Sequence, residues 1–150
     1  MSLPSMLEPA PASPAGRPPS QRLMRLMRLM QITLVLQSAV ILAQAATAGL
    51  LLASVPVGRE LHGVMGGAVL LAVLLNLGAT ILAWKPGGGS PRLLLKSAPM
   101  LVFTLVQMAL GFARVRELHV PVGVLMFGAS AMLLTQVRND GRPARVGEAS

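Results

Sequence analysis

Apolar positions in this chain fall into four long uncharged runs, Leu29 to Gly58, Leu61 to Trp84, Ser97 to Ala113 and Leu118 to Val137, with the charges clustered between them. A helix needs roughly 20 apolar residues to cross the hydrocarbon core of a bilayer, in a range of about 17 to 25. The first, second and fourth runs meet that length. The third sits at the lower limit, and reaches it by borrowing residues 93–95 or by snorkelling its flanking Lys96 and Arg114. Strand-like alternation is absent, and aromatic residues are only 3% of the chain, which argues against a barrel. The pattern predicts an all-α membrane protein, a four-transmembrane-helix bundle, with spans over about 31–55, 62–84, 95–114 and 118–137.

Composition agrees with lipid as the solvent. Charged residues are 12% of the 150, about half the share usual in a soluble domain, while 53% are hydrophobic. The net charge of +8 raises the possibility of nucleic acid, but its distribution follows membrane topology instead. With the N-terminus in the cytoplasm, the inner side holds Arg17, Arg22, Arg25, Arg28, Lys85, Arg92, Lys96, Arg138, Arg142 and Arg145, and the outer side only Arg59, Arg114 and Arg116. This positive-inside bias predicts a multi-pass protein of the plasma membrane, with both termini cytoplasmic and the lipid bilayer, not nucleic acid, as its partner. The absence of cysteine excludes disulfides, zinc-thiolate sites, iron–sulfur clusters and covalently attached haem within the chain.

Residues 1–28 read as a disordered Pro-rich segment followed by a basic one, residues 29–137 as the transmembrane domain, and residues 138–150 as a polar cytoplasmic tail. The basic segment writes Arg-Leu-Met three times from Arg22 to Met30. A period of three drifts on a helix of 3.6 residues per turn, so it forms no tight stripe. It serves as the positive flank of the first span, with a basic surface helix on anionic lipid as the alternative. The first run is about twice the length of a signal-peptide core, which predicts a retained helix. Trp84-Lys85 marks an interfacial stop, and Pro86 with Gly87, Gly88 and Gly89 predicts a flexible link.

A repeat carries the candidate chemistry. Arg59-Glu60-Leu61-His62 recurs as Arg116-Glu117-Leu118-His119, each at the start of an even-numbered span, and each histidine is followed four residues later by glycine, Gly66 and Gly123. The preceding spans each carry glutamine followed four residues on by a small residue, Gln44 with Ala48 and Gln107 with Gly111. The chain therefore reads as two repeated hairpins, related by an axis along the membrane normal. Its only two histidines then lie at one depth near the outer surface. Positions i and i+4 share a helix face, so each glycine leaves a notch one turn below its histidine. A flat macrocycle needs such notches between helices packed about 8–10 Å apart. His62 and His119 are candidate metal ligands on either side of a haem iron. Arg59, Arg114 and Arg116 are candidates to meet its propionates, and Glu60 or Glu117 to hold a ligand's second ring nitrogen. The alternative is ordinary anchoring: a Glu at a helix start and a His at the lipid boundary need no ligand.

Leu61-His62-Gly63-Val64-Met65-Gly66 and Leu118-His119-Val120-Pro121-Val122-Gly123 resemble a motif of small four-helix bacterial membrane proteins that carry one Leu-His-x-x-x-Gly per hairpin. More distantly, residues 30–137 resemble one half of haem A synthase, and haem-b membrane cytochromes generally. That resemblance implies haem b held between the second and fourth helices by His62 and His119. The chain departs from haem A synthase in having one such half, in placing Glu60 and Glu117 two rather than three residues before the histidines, and in lacking a cysteine pair.

No Asp, Glu, Lys or Arg lies within the four uncharged runs, which weakens ion-coupled transport. Gln37, Gln44, Asn76, Thr104 and Gln107 are expected to bond between helices. No nucleophile–base pair, paired carboxylates or phosphate loop is present. The expectation is a small b-type cytochrome-like protein for electron transfer, with a redox or other membrane-protein partner. The alternative is a cofactor-free structural or accessory membrane protein, with a transporter third.

Overall fold

The four uncharged runs become four helices: α1 spans Gln21–Leu52, α2 Gly58–Trp84, α3 Arg92–Phe112 and α4 Arg116–Asp140. The structure, a computed structural model, describes residues 20–140. The expectations for the Pro-rich start and for the tail from residue 141 lie outside the described residues. All four helices are long and apolar enough to cross a membrane, and the chain is a multi-pass membrane protein built as an all-α four-helix bundle. Links of five, seven and three residues join the helices, short enough to force antiparallel neighbours. Each helix packs against its neighbours in sequence, α1 closes the ring against α4, and the diagonal pairs do not approach at backbone level.

Helix ends follow from local chemistry. Ser20 caps α1 by accepting from the Leu23 N–H at 3.2 Å. The basic tripeptide repeat is therefore the first turns of α1, continuous with the span. The helix stops at Leu52, short of residue 55, because Ser54 turns left-handed at φ 57° and the Val55 N–H closes onto the Leu50 carbonyl at 3.0 Å. α3 ends identically, with Arg114 at φ 60° and the Val115 N–H donating to Leu110 O at 3.0 Å. At its other end α3 takes in residues 93–95, as its short run requires.

The glycine-rich link after α2 is more ordered than expected. The N–H groups of Gly87, Gly88 and Gly89 donate to the carbonyls of Leu82, Trp84 and Ala83 at 3.0, 3.1 and 3.0 Å, partners that the last turn of a helix otherwise lacks. A Cβ at Gly87 would run into the Ala83 carbonyl and meet Leu26 of α1 at 3.0 Å, so glycine lets the link fold down against both helices.

The interior is a seam of alternating four- and three-residue steps. On α2 it runs His62, Gly66, Val69, Val73, Asn76, Thr80 and Ala83; on α4, His119, Gly123, Met126, Ser130, Leu133 and Val137. That is coiled-coil spacing, with small and polar side chains common among the knobs, as suits helices that pack in lipid. Two apolar clusters form along it. Met30, Leu34, Ala79, Leu133 and Val137 fill the end where α1 begins, and Ile41, Val69, Val73, Met100 and Met126 fill the middle.

Several buried polar groups find partners across the seam, although Gln37 Oε1 has none among the described residues. Asn76 Nδ2 donates to Thr33 Oγ1 at 3.1 Å and joins α2 to α1. Gln37 Nε2 donates to Ser130 Oγ at 3.1 Å, and Ser130 lies 2.8 Å from Ser38 Oγ. The Ser38 hydroxyl donates to Leu34 O, so Ser130 supplies the proton between the two serines and ties α4 to α1. Thr104 differs from expectation: its hydroxyl bonds Met100 O of its own helix at 2.8 Å.

Gly58 sets the closeness of α1 and α2. A Cβ there would stand 2.7 Å from Leu51 N and 2.8 Å from the Leu50 carbonyl carbon, backbone atoms that cannot swing away. We expect Gly58→Ala to destabilise the bundle by about 1–3 kcal/mol. Gly63→Ala, with open space around it, is expected to be neutral or slightly stabilising. Thermal unfolding in detergent, followed by helical circular dichroism, checks the pair; equal midpoints would refute the close approach.

Candidate functional site

The two histidines meet. His62 and His119 project into the bundle from α2 and α4, which stand diagonally opposite, and their ring centres lie 6.0 Å apart at an interplanar angle of 69°. Both are half-buried. The repeat read from sequence thus brings its two copies together at one end of one interior.

The glycines that follow them do not leave open notches. A Cβ at Gly123 would stand 2.8 Å from Gln107 Nε2, and one at Gly66 would stand 3.6 Å from Gln44 Nε2. Each glutamine of the odd-numbered helices lays its amide over the glycine of its own hairpin. Gly111, the small residue after Gln107, makes room for the ring of His119, whose Cε1 would lie 3.2 Å from a Cβ there. In each hairpin the spacing motif is therefore one packing unit: the glycine accepts the amide, and the amide sits beside the imidazole.

Hydrogen bonds fix which ring nitrogen carries the proton. Thr47 donates its hydroxyl proton to Gln44 O at 2.8 Å, so its lone pairs are left for His62 Nδ1 at 3.2 Å. His62 then carries its proton on Nδ1, and its Nε2 lone pair accepts from Gln44 Nε2 at 3.3 Å. His119 Nδ1 lies 3.0 Å from the backbone carbonyl of Gln107, which can only accept. His119 is thus the same tautomer, and its Nε2 has no hydrogen-bond partner among the described residues. Gln107 Nε2 returns the contact by donating to the His119 carbonyl at 2.8 Å. The groups that orient the rings are Thr47 and the Gln107 carbonyl, while Glu60 and Glu117 stay exposed on the first turns of their helices. The role of Thr47 is invisible to the repeat, because the matching position in α3 is Leu110.

The result is a cluster rich in lone pairs. Gln44 Oε1 and Gln107 Oε1 are buried with no hydrogen-bond partner, a state that costs about 1–3 kcal/mol per group. The two histidine Nε2 atoms add one bare and one weakly held lone pair. Arg59 and Arg116 are exposed at the same end, one at the second residue of α2 and one at the first of α4. Among the described residues no group of three or more His, Asp or Glu side chains gathers to hold a metal ion by itself.

The seam shows where the two hairpins are alike. Val73 matches Ser130, Asn76 matches Leu133, and Thr80 matches Val137; in the odd helices Leu34 matches Ser97, Gln37 matches Met100, and Ile41 matches Thr104. A polar side chain faces an apolar one at each of these positions. Identity returns only at the histidine end, with Gln44 and Gln107, Gly66 and Gly123, and His62 and His119.

The tautomers are open to direct test. In protein labelled with nitrogen-15 histidine, both rings are expected as the Nδ1–H form. Thr47→Val is expected to mix the tautomers of His62 alone. An Nε2–H signal for either ring in the unaltered protein would contradict the hydrogen-bond assignment.

Compared with protein-family models, curated proteins and solved structures, this chain matches none, so its function is read from its own residues.

Proposed function

We propose that this protein is a small b-type cytochrome-like protein of the plasma membrane that serves electron transfer. Both termini are cytoplasmic, and His62 and His119 would hold one haem through their imidazoles. The observation that carries this reading is the histidine pair itself, two imidazoles brought from diagonal helices to one level of one interior. Two imidazoles sharing one metal through bonds of about 2 Å would have ring centres roughly 6 Å apart, and these centres lie 6.0 Å apart, edge to face, with His62 Nε2 turned to Gln44. Anchoring Nδ1–H on a hydroxyl or a backbone carbonyl is also how metal-bound histidines are commonly oriented, with Nε2 left to the metal.

The surrounding residues fit a flat macrocycle. What fills the space above Gly66 and Gly123 is the far end of a glutamine side chain, not backbone, and each has an unpaired carbonyl, although moving Gln107 would break its 2.8 Å bond to the His119 carbonyl. His62 gives up only the 3.3 Å contact with Gln44. Arg59 and Arg116 stand at the rim to pair with propionates. A haem held by both His62 and His119 would supply electron transfer rather than oxygen chemistry, because imidazole would leave no site open for oxygen. The positive-inside charge distribution supports the orientation.

A second reading rests on a specific observation. Each histidine already bonds the other helix of its own hairpin, His62 to Gln44 and Thr47, and His119 to Gln107. Such bonds are worth about 0.6 kcal/mol on average in membrane bundles and suit a structural or accessory membrane protein.

Optical spectra of the purified protein separate the two. After expression with ample haem, we expect a Soret band that shifts on reduction and is lost in His62→Ala and in His119→Ala. A colourless protein would sink the haem reading, and full haem retention by either variant would sink the ligand assignment.

A further inference from the structure

Arginines from two helices converge at the opposite end. Arg28, Gln31, Ile32 and Val35 of α1 and Arg138 of α4 line one open groove of about 360 Å³. A second hollow of about 210 Å³ adjoins it, lined by Gln21, Met24, Arg25 and Arg28, so Arg28 belongs to both. Two guanidinium groups in one groove repel each other. On α1 the sequence places no carboxylate to offset them, and the nearest on α4, Asp140, follows Arg138 by two residues and so leaves from another side of the helix. An anion seated between them removes the repulsion and accepts paired N–H bonds from each.

The floor of the groove says what kind of anion. Ile32 is 64% exposed and Val35 44%, and the same stripe continues to Leu42. A free anion has no use for this apolar track, but an acyl chain descending from a phosphate does. The level is right for a headgroup. From Arg28 to Leu52 the helix rises about 36 Å, between the roughly 30 Å of the hydrocarbon core and the 40–45 Å that includes headgroups. Trp84 and Lys85 lie at the same end, with Lys85 Nζ 5.4 Å from the Trp84 ring centre, the pairing expected where a span meets the headgroups.

We propose that the groove between α1 and α4 is a binding site for one anionic phospholipid, its phosphate held between Arg28 and Arg138 and one acyl chain lying along Ile32 and Val35. The site gives the basic start of α1 a specific ligand beyond general attraction to the bilayer. It is independent of any cofactor at the histidine end.

Native mass spectrometry of the full chain, released from nanodiscs of mixed phosphatidylglycerol and phosphatidylcholine, tests the site. One phosphatidylglycerol is expected to stay bound in preference to phosphatidylcholine. Arg28→Gln with Arg138→Gln is expected to cut that preference about tenfold at unchanged helix content. Arg22→Gln with Arg92→Gln removes the same charge from the same end outside the groove, and is expected to leave the preference intact. Equal losses in the two double variants would reduce the effect to bulk charge and overturn the site. So would equal retention of the two lipids by the unaltered protein, or displacement of the lipid by soluble glycerol phosphate.

Discussion

In the hydrocarbon core a polar side chain has no water to turn to, so each one must find its partner inside the bundle or leave a buried group unpaired. This constraint decides how the four helices meet. Apolar contact alone discriminates little between helix and helix or helix and lipid. Asn76 with Thr33, and Gln37 and Ser38 with Ser130, specify which faces turn inward. They also specify register, because a slip of one turn would take both members of each pair away from their partners. The heptad spacing of the seam supplies the packing, and the polar pairs supply its uniqueness.

The constraint is not met everywhere: Gln37 Oε1, in the middle of the bundle, is buried without a partner, and so are two groups at the histidine end. Two glutamine carbonyls there are buried without partners, although the rest of the cluster is tightly bonded. Packing does not require this. Leucine at position 44 or 107 and alanine at 66 or 123 would avoid the unpaired acceptors. That end carries the cost at two matched positions, Gln44 and Gln107. The substitution of apolar for polar residues at most other repeated seam positions sharpens the contrast. Where only packing matters, the hairpins differ; where His, Gln and Gly cluster, they agree.

Much of the fold was legible because the bilayer writes itself into sequence on a coarse scale. Uncharged length marked the four spans, and the clusters of Arg and Lys marked their ends. Helix ends were less legible, since Ser54 and Arg114 stop helices by adopting a left-handed turn that neither residue type announces. The repeated Arg-Glu-Leu-His pointed to two side chains that meet in the interior, because identity at fixed spacing survives without knowledge of three dimensions. The partners of those side chains were harder to read. Glu60 and Glu117 stood next to the histidines in sequence, but at a helix start their side chains remain exposed on the first turn, whereas Thr47 and Gln107 reach the rings from the neighbouring helix. Sequence proximity selects the same helix, and a ring nitrogen facing the interior is served by a different one.

The two hairpins are unequal at that end, and the inequality bears on how the pair works. Gln44 lies 18 residues before His62, and Gln107 lies 12 before His119. Much of the surplus is helix: three more residues in α1 beyond the glutamine, one more in α2 before the histidine, and a link two residues longer. The first hairpin therefore reaches about one turn further, with Gly58 pressed against the backbone of Leu50 and Leu51 to hold it closed. His62 has both ring nitrogens engaged, by Gln44 and Thr47 of α1, while His119 keeps Nε2 bare among the described residues. A symmetric repeat has become an asymmetric site, one imidazole with both ring nitrogens engaged and one with Nε2 bare.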